Sequence, residues 1–175
     1  MKTQHRLIFA AALLAAVSLC VAQTSGERKK ANPATTKAGA GHVMVNTEEV
    51  NWGPPPPSVP AGAQAAVLAG DPSQAGTPYT IRIKAPDGYR VPPHWHPVDE
   101  NVVVLQGVMM LGMGEKFNPA RGHELRVGGY VKMPKEVRHF AWFKGESIFQ
   151  VHGIGPFEVI YVNPADDPRN KPAPK

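Results

Sequence analysis

From about residue 43 onward, short apolar runs recur between Gly, Pro and Asn positions, and no segment carries a convincing helical period. Tyr79, Ile81 and Ile83 alternate with Thr80, Arg82 and Lys84, the period of a strand with one face in a core and one in water. The pattern predicts strands near 43–46, 65–69, 78–84, 91–96, 100–106, 108–113, 124–127, 129–133, 137–143, 147–152 and 157–162, which make an all-β sandwich or barrel. Val102–Leu105 is apolar at consecutive positions, so both faces of that strand call for cover. A second subunit, giving a homodimer, and the N-terminal segment around Trp52 are equally open as its source. Met109, Met110 and Met113 read as flexible core filler, and Trp95 and Trp142 as packing residues.

The ends of the chain follow different rules. Lys2, His5 and Arg6 precede an apolar run from Leu7 to Val17, and Cys20-Val21-Ala22 offers small residues before Gln23. This is the plan of a secretory signal peptide over 1–22. The run falls short of the ~20 apolar residues of a membrane span, so the mature protein is expected to be periplasmic or secreted, with no membrane span. Cys20 leaves lipoprotein processing open, although Leu19 is larger than such a site prefers. Cleavage after Ala22 removes the single cysteine, and with it any disulfide. Residues 23–42 read as a flexible basic linker and 43–64 as an extended arm whose prolines, Pro54–Pro57 and Pro60, cannot join a central ladder. The barrel would occupy 65–165, and 166–175 would be a frayed tail.

The net charge of +5 changes this picture little, because its excess lies at the N-terminus. Setting aside the six basic residues and one acidic residue before position 38 leaves 13 of each sign. The domain is near neutral and lacks a basic patch interleaved with aromatics, which excludes nucleic acid as a partner.

The candidate chemistry is concentrated in two places. On a strand His94 and His96 point to one face while Trp95 points away. Glu100 follows the short turn Pro97-Val98-Asp99, so a hairpin can return its carboxylate beside the imidazoles. His139 would have to come from a more distant strand. Nitrogen and carboxylate donors without a thiolate suit one divalent metal ion, whether iron, manganese, nickel, copper or zinc, rather than a sulfur-ligated structural zinc.

The stretch Gly88 to Gly107 resembles the first motif of the cupin superfamily: G, five residues, H, x, H, three or four residues, E, six residues, G. Gly88, His94, His96, Glu100 and Gly107 meet every fixed position. The second motif, G, five residues, P, x, G, two residues, H, three residues, N, is met by Gly128, Pro134 and His139, with Glu136 in place of the inner glycine and Phe143 in place of the asparagine. Over roughly residues 65–162 the resemblance implies a double-stranded β-helix, or jelly-roll barrel, holding a metal through His94, His96, Glu100 and His139. Without Gly at 136 the turn is expected to use another geometry. Parity with His139 turns Val137, Ala141 and Phe143 inward, making Phe143 a pocket wall. Gln150 and His152 share one strand face and are candidate substrate-orienting groups, while Phe149 and Val151 form the more obvious core face. His123 lies in a polar loop and reads as solvated. The alternative, a metal-free barrel that keeps the four residues for packing, would bury polar groups at a cost of several kcal/mol.

These readings suggest a small-molecule enzyme of dioxygenase type acting on a bidentate oxygen-donor substrate, with Glu100 as ligand and, if it dissociates, as catalytic base. A sugar isomerase, a decarboxylase, and a non-catalytic binding or sensing domain are the alternatives.

Overall fold

The computed structural model describes residues 41–171, so the expectations for the signal peptide and nearly all of the linker lie outside the described residues. Eight strands follow in order: β1 (Gln64–Gly70), β2 (Pro78–Ala85), β3 (Arg90–Trp95), β4 (Glu100–Met113), β5 (His123–Leu125), β6 (Tyr130–Met133), β7 (His139–Ile154) and β8 (Ile160–Tyr161). Among the described residues no helix is long and apolar enough to cross a membrane.

All pairings are antiparallel, and two long strands organise them. β4 and β7 run against each other from Glu100 opposite Gly153 to Met113 opposite His139. The later part of β7 also pairs with β2, and the start of β4 with β6. The early part of β7 pairs with β3, and the end of β4 with β5. With β1 beside β2 and β8 beside β3, two sheets share β4 and β7 and face each other, which is the jelly roll that the motifs implied.

Sequence punctuation predicted breaks near 107 and 144 where the structure has bends. Gly107 takes a φ of 73° and Gly145 a φ of 71°, values open to glycine at little cost. A Cβ on Gly107 would also lie 2.2 Å from Ser147 Oγ and 2.6 Å from Glu146 O. The glycine therefore lets the strand turn a corner while its ladder continues. Just before it the register slips: Val104 faces Phe149, but Gln106 faces Ile148. Leu105 is the inserted residue, and it is 38% exposed. The inward set accordingly passes from Val102 and Val104 to Met109 and Leu111. The run that looked apolar on both faces thus resolves into two core residues, a half-buried Val103 and a bulge. Trp52 packs elsewhere, with Lys84 Nζ 4.8 Å from its ring on β2.

The strand expected at 43–46 is absent. Val43 and Met44 are exposed, and a single 3-10 turn, Thr47–Glu49, follows them. The strand expected at 157–162 contracts to β8. The proline segment lies across the barrel without joining its ladder, as proline must. Tyr89 donates its hydroxyl to Pro60 O, and Tyr161 donates to Ser58 O at 2.8 Å, which buries Ser58 and Val59. The frayed tail expected from 166 is instead ordered as far as Lys171. Pro164–Asp166 and Pro168–Asn170 form 3-10 turns, whose first backbone N–H groups are received by Asn163 and Asp167 carboxamide and carboxylate oxygens at 3.1 and 2.9 Å.

Candidate metal centre

β3 brings His94 to the register position opposite His139 on β7. This one pairing joins the two motifs. His96 follows on the same face, just past the end of β3, and β4 begins at Glu100. The three imidazoles are 2–4% exposed, and each offers a ring nitrogen within 4.8 Å of the other two. Glu100 Oε2 lies 3.3 Å from His96 Nε2 and 4.0 Å from His139 Nε2. All four residues therefore meet at one end of a common cavity.

Backbone carbonyls fix which nitrogen of each ring faces that point. His94 Nδ1 lies 2.7 Å from Pro92 O, His139 Nδ1 3.0 Å from Val137 O, and His96 Nδ1 2.7 Å from Glu158 O. A carbonyl oxygen can only accept, so Nδ1 carries the proton in each ring and a neutral imidazole is left with a lone pair on Nε2. That is how metal-ligating histidines are held. His96 Nε2 is buried without any hydrogen-bond partner, a cost that natural interiors seldom leave unmet. The donor set fits a cation on these grounds.

Electrostatics agree for His94 and His139 and differ for His96. Burial, reinforced by His139 and His96, holds His94 well below the usual histidine range. Burial also lowers His139, although Glu100 opposes it. For His96, burial works against the charged ring, but the nearby Glu100 carboxylate and the Glu158 carbonyl outweigh it and raise its pKa. Burial would raise Glu100, yet the His96 and His139 rings bring it below the usual value. The ionised form of Glu100 is thus favoured, which suits a ligand.

The turn ahead of His139 corrects one expectation. Glu136 keeps the left-handed backbone of the glycine it replaces, with a φ of 65°, at a strain of about 1 kcal/mol. Its N–H donates to His96 O at 2.8 Å, so the strained turn ties the two motifs together. Arg138 stacks on Trp95 at 5.5 Å on the outside, consistent with Trp95 as a packing residue.

Apart from the four site residues and Tyr89, whose hydroxyl is engaged by Pro60, the cavity is lined by apolar side chains. Phe143 is among them, stacked on Phe149 at 5.0 Å. The free space is about 50 Å³, room for roughly three or four water-sized groups. Gln150 and His152 do not line it. They project from the outer face of β7, where Gln150 Oε1 accepts from Arg82 Nε at 3.3 Å and His152 borders a shallow surface depression with Asp99 and Lys135. The parity set by His139 holds through the corner, so Phe149 and Val151 face inward and the intervening residues cannot. His123 is exposed on the short β5. The sequence reasoning missed Val59, Phe157 and Val159 as cavity wall and the Glu158 carbonyl as the anchor of His96. The alternation of Phe157 and Val159 was a signal for the wall; a backbone carbonyl leaves none.

A jelly roll with three buried imidazoles and a carboxylate converging inside defines the class as a cupin. The chain belongs to the family of the ChrR cupin-like domain, whose model matches residues 40–158. No curated protein sequence matches it. Among solved structures it is similar to the polyketide cyclase RemF of Streptomyces resistomycificus, at 20% identity and a TM-score of 0.56 over 72% of this chain and 89% of that one. It is also similar to a candidate acetylacetone dioxygenase of Methylibium petroleiphilum PM1, at 22% identity and a TM-score of 0.55 over 75% and 88%. An RmlC-like cupin of Shewanella frigidimarina matches at 15% identity and a TM-score of 0.50 over 67% and 93%. At these identities the likeness concerns the fold.

Proposed function

We propose that the protein is an exported, mononuclear metal-dependent oxygenase acting on a small molecule with two oxygen donors, such as a 1,3-diketone, an enediol or a catechol. The observation that carries this reading is the set of three Nε2 lone pairs and one ionised carboxylate meeting inside an apolar cavity. His94, His96, Glu100 and His139 would hold the ion. Bound there, a divalent cation supplies Lewis acidity toward an enol or hydroxyl and, where it is redox-active, access to dioxygen chemistry. The chain's own residues shape what enters. Phe143, Phe149 and their apolar neighbours exclude water and receive a carbon skeleton, and the small free volume favours few-atom substrates over a flavonol-sized one.

One observation favours a second reading, a non-catalytic binding or sensing domain: among the described residues no acid or base other than the four site residues is free in the cavity. One experiment separates the two. The protein is expressed with trace metals, analysed for its metal content, and presented with acetylacetone, catechol and an enediol in an oxygen electrode and in a melting assay. Metal together with oxygen uptake supports the enzyme. Metal with a ligand-dependent melting shift and no uptake supports the binding domain, and a metal-free product overturns both.

A further inference from the structure

The three imidazoles are not anchored alike. His94 and His139 each donate to the carbonyl two residues earlier, Pro92 and Val137, so local backbone geometry orients them. His96 donates to Glu158 O, 62 positions away, and is only as well oriented as that residue. Glu158 lies between β7 and β8, outside any strand ladder. Its side chain is gripped by the C-terminal segment. Arg169 Nη1 donates to Glu158 Oε1 at 3.0 Å and Nη2 to Val159 O at 3.4 Å, while Nε and Nη2 donate to Asp167 at 2.9 and 2.7 Å. A planar guanidinium can make all these bonds at once, and an ammonium cannot.

We propose that Arg169 is a positioning residue for the metal centre: by fixing Glu158 it aims the His96 ring, and so sets how tightly the site holds a divalent cation. This rests on the reading that the imidazoles bind metal. Glu158 and Arg169 are 41% and 39% exposed, and such pairs contribute little to global stability. Two further hydrogen bonds, Phe157 N to Pro72 O at 2.7 Å and Val159 N to Ser58 Oγ at 3.4 Å, keep the segment in place without reaching the Glu158 side chain. The fold therefore survives loss of the guanidinium, and what goes with it is the extra restraint that Arg169 places, through the Glu158 side chain and the Val159 carbonyl, on the segment whose Glu158 carbonyl receives His96.

The test uses Arg169→Ala, Arg169→Lys and Glu158→Gln in the full chain, with Zn²⁺ alone as the probe. Competition against a chromophoric chelator should show Arg169→Ala binding Zn²⁺ severalfold more weakly than the parent, less than the roughly tenfold or greater loss typical for direct partners of metal ligands. Arg169→Lys should fall between the two. Melting temperatures should stay within about 2 °C. In the metal-free proteins, nitrogen-detected imidazole spectra should show faster exchange of the His96 Nδ1 proton in Arg169→Ala and Glu158→Gln, with His94 and His139 unchanged. Parent-like Zn²⁺ affinity and a parent-like His96 spectrum in both variants would overturn the proposal. If the parent itself takes up no Zn²⁺, the metal reading fails, and the metal-free His96 spectra alone decide whether Arg169 aims the ring.

Discussion

β7 carries a histidine near each end, and the two live in different worlds. His139 is 2% exposed, donates Nδ1–H to a backbone carbonyl and turns Nε2 toward a carboxylate. His152 projects from the opposite face, beside Thr80 and Asn101 at the rim of a surface depression. The same side chain on one strand becomes a candidate ligand or a half-buried residue at the rim whose Nδ1 meets no hydrogen-bond partner, according to parity and to what surrounds the ring. The identity of a residue says less about its chemistry than the partner that fixes its tautomer.

Breaking this contrast is simplest at the ligands. His139→Ala, and likewise His96→Ala, should lower the metal content of the purified protein well below the parent under identical growth, while His152→Ala should match the parent; equal loading in all of them by elemental analysis would erase the distinction. The aromatic pair of the cavity sharpens the contrast through stability. Phe143→Ala removes a fully buried ring and should cost about 3–5 kcal/mol in chemical denaturation, whereas Gln150→Ala on the outer face should stay within about 0.5 kcal/mol.

Acid should separate the two faces more gently. His94 and His139 are held neutral below the ordinary value of 6.5, so below about that pH the unfolded chain takes up protons that the folded chain refuses. His96, raised in the fold, partly offsets them by stabilising the folded state until the pH exceeds its own pKa. The net result for the metal-free protein is a stability that falls as pH drops below 6.5, by up to about 1.4 kcal/mol per unit for one net proton. Denaturation at a series of pH values checks this, and a flat profile between about pH 7 and about pH 5 would contradict it. The smallest effect is expected at the strained turn. Glu136→Gly should raise stability by at most about 0.5 kcal/mol, as relief of the left-handed strain only slightly exceeds the added chain entropy, with metal content unchanged.

The parts of this molecule that were legible in the sequence are those governed by local rules. Strand alternation at Tyr79–Lys84 and the shared face of His94 and His96 follow from a two-residue period. The convergence of Glu100 and His139 on that face depends on pairings between distant strands, and only the spacing of the two motifs announced it. Gly107 was visible as punctuation, but a glycine can end a strand or bend it, and the choice is made by Ser147, which leaves no room for a Cβ. Glu136 was misjudged because the turn's hydrogen bond to His96 O outweighs a residue's distaste for positive φ. The C-terminal turns were legible in Asn163-Pro164 and Asp167-Pro168, a capping side chain followed by proline, but the order that Arg169 lends the tail by reaching Glu158 and Asp167 is a contact that no periodicity encodes.

The carbonyl anchors on the three rings have a consequence for the supply of the ion. Rings whose Nδ1–H is committed to a carbonyl would turn Nε2 to an incoming cation with little reorientation, and the proton that His96 holds more readily beside Glu100 is the main one capture would release. Such nitrogen and carboxylate donors rank divalent ions by the general affinity order and not by biological need, so the supply of ions in the compartment would weigh heavily on which one the barrel takes up.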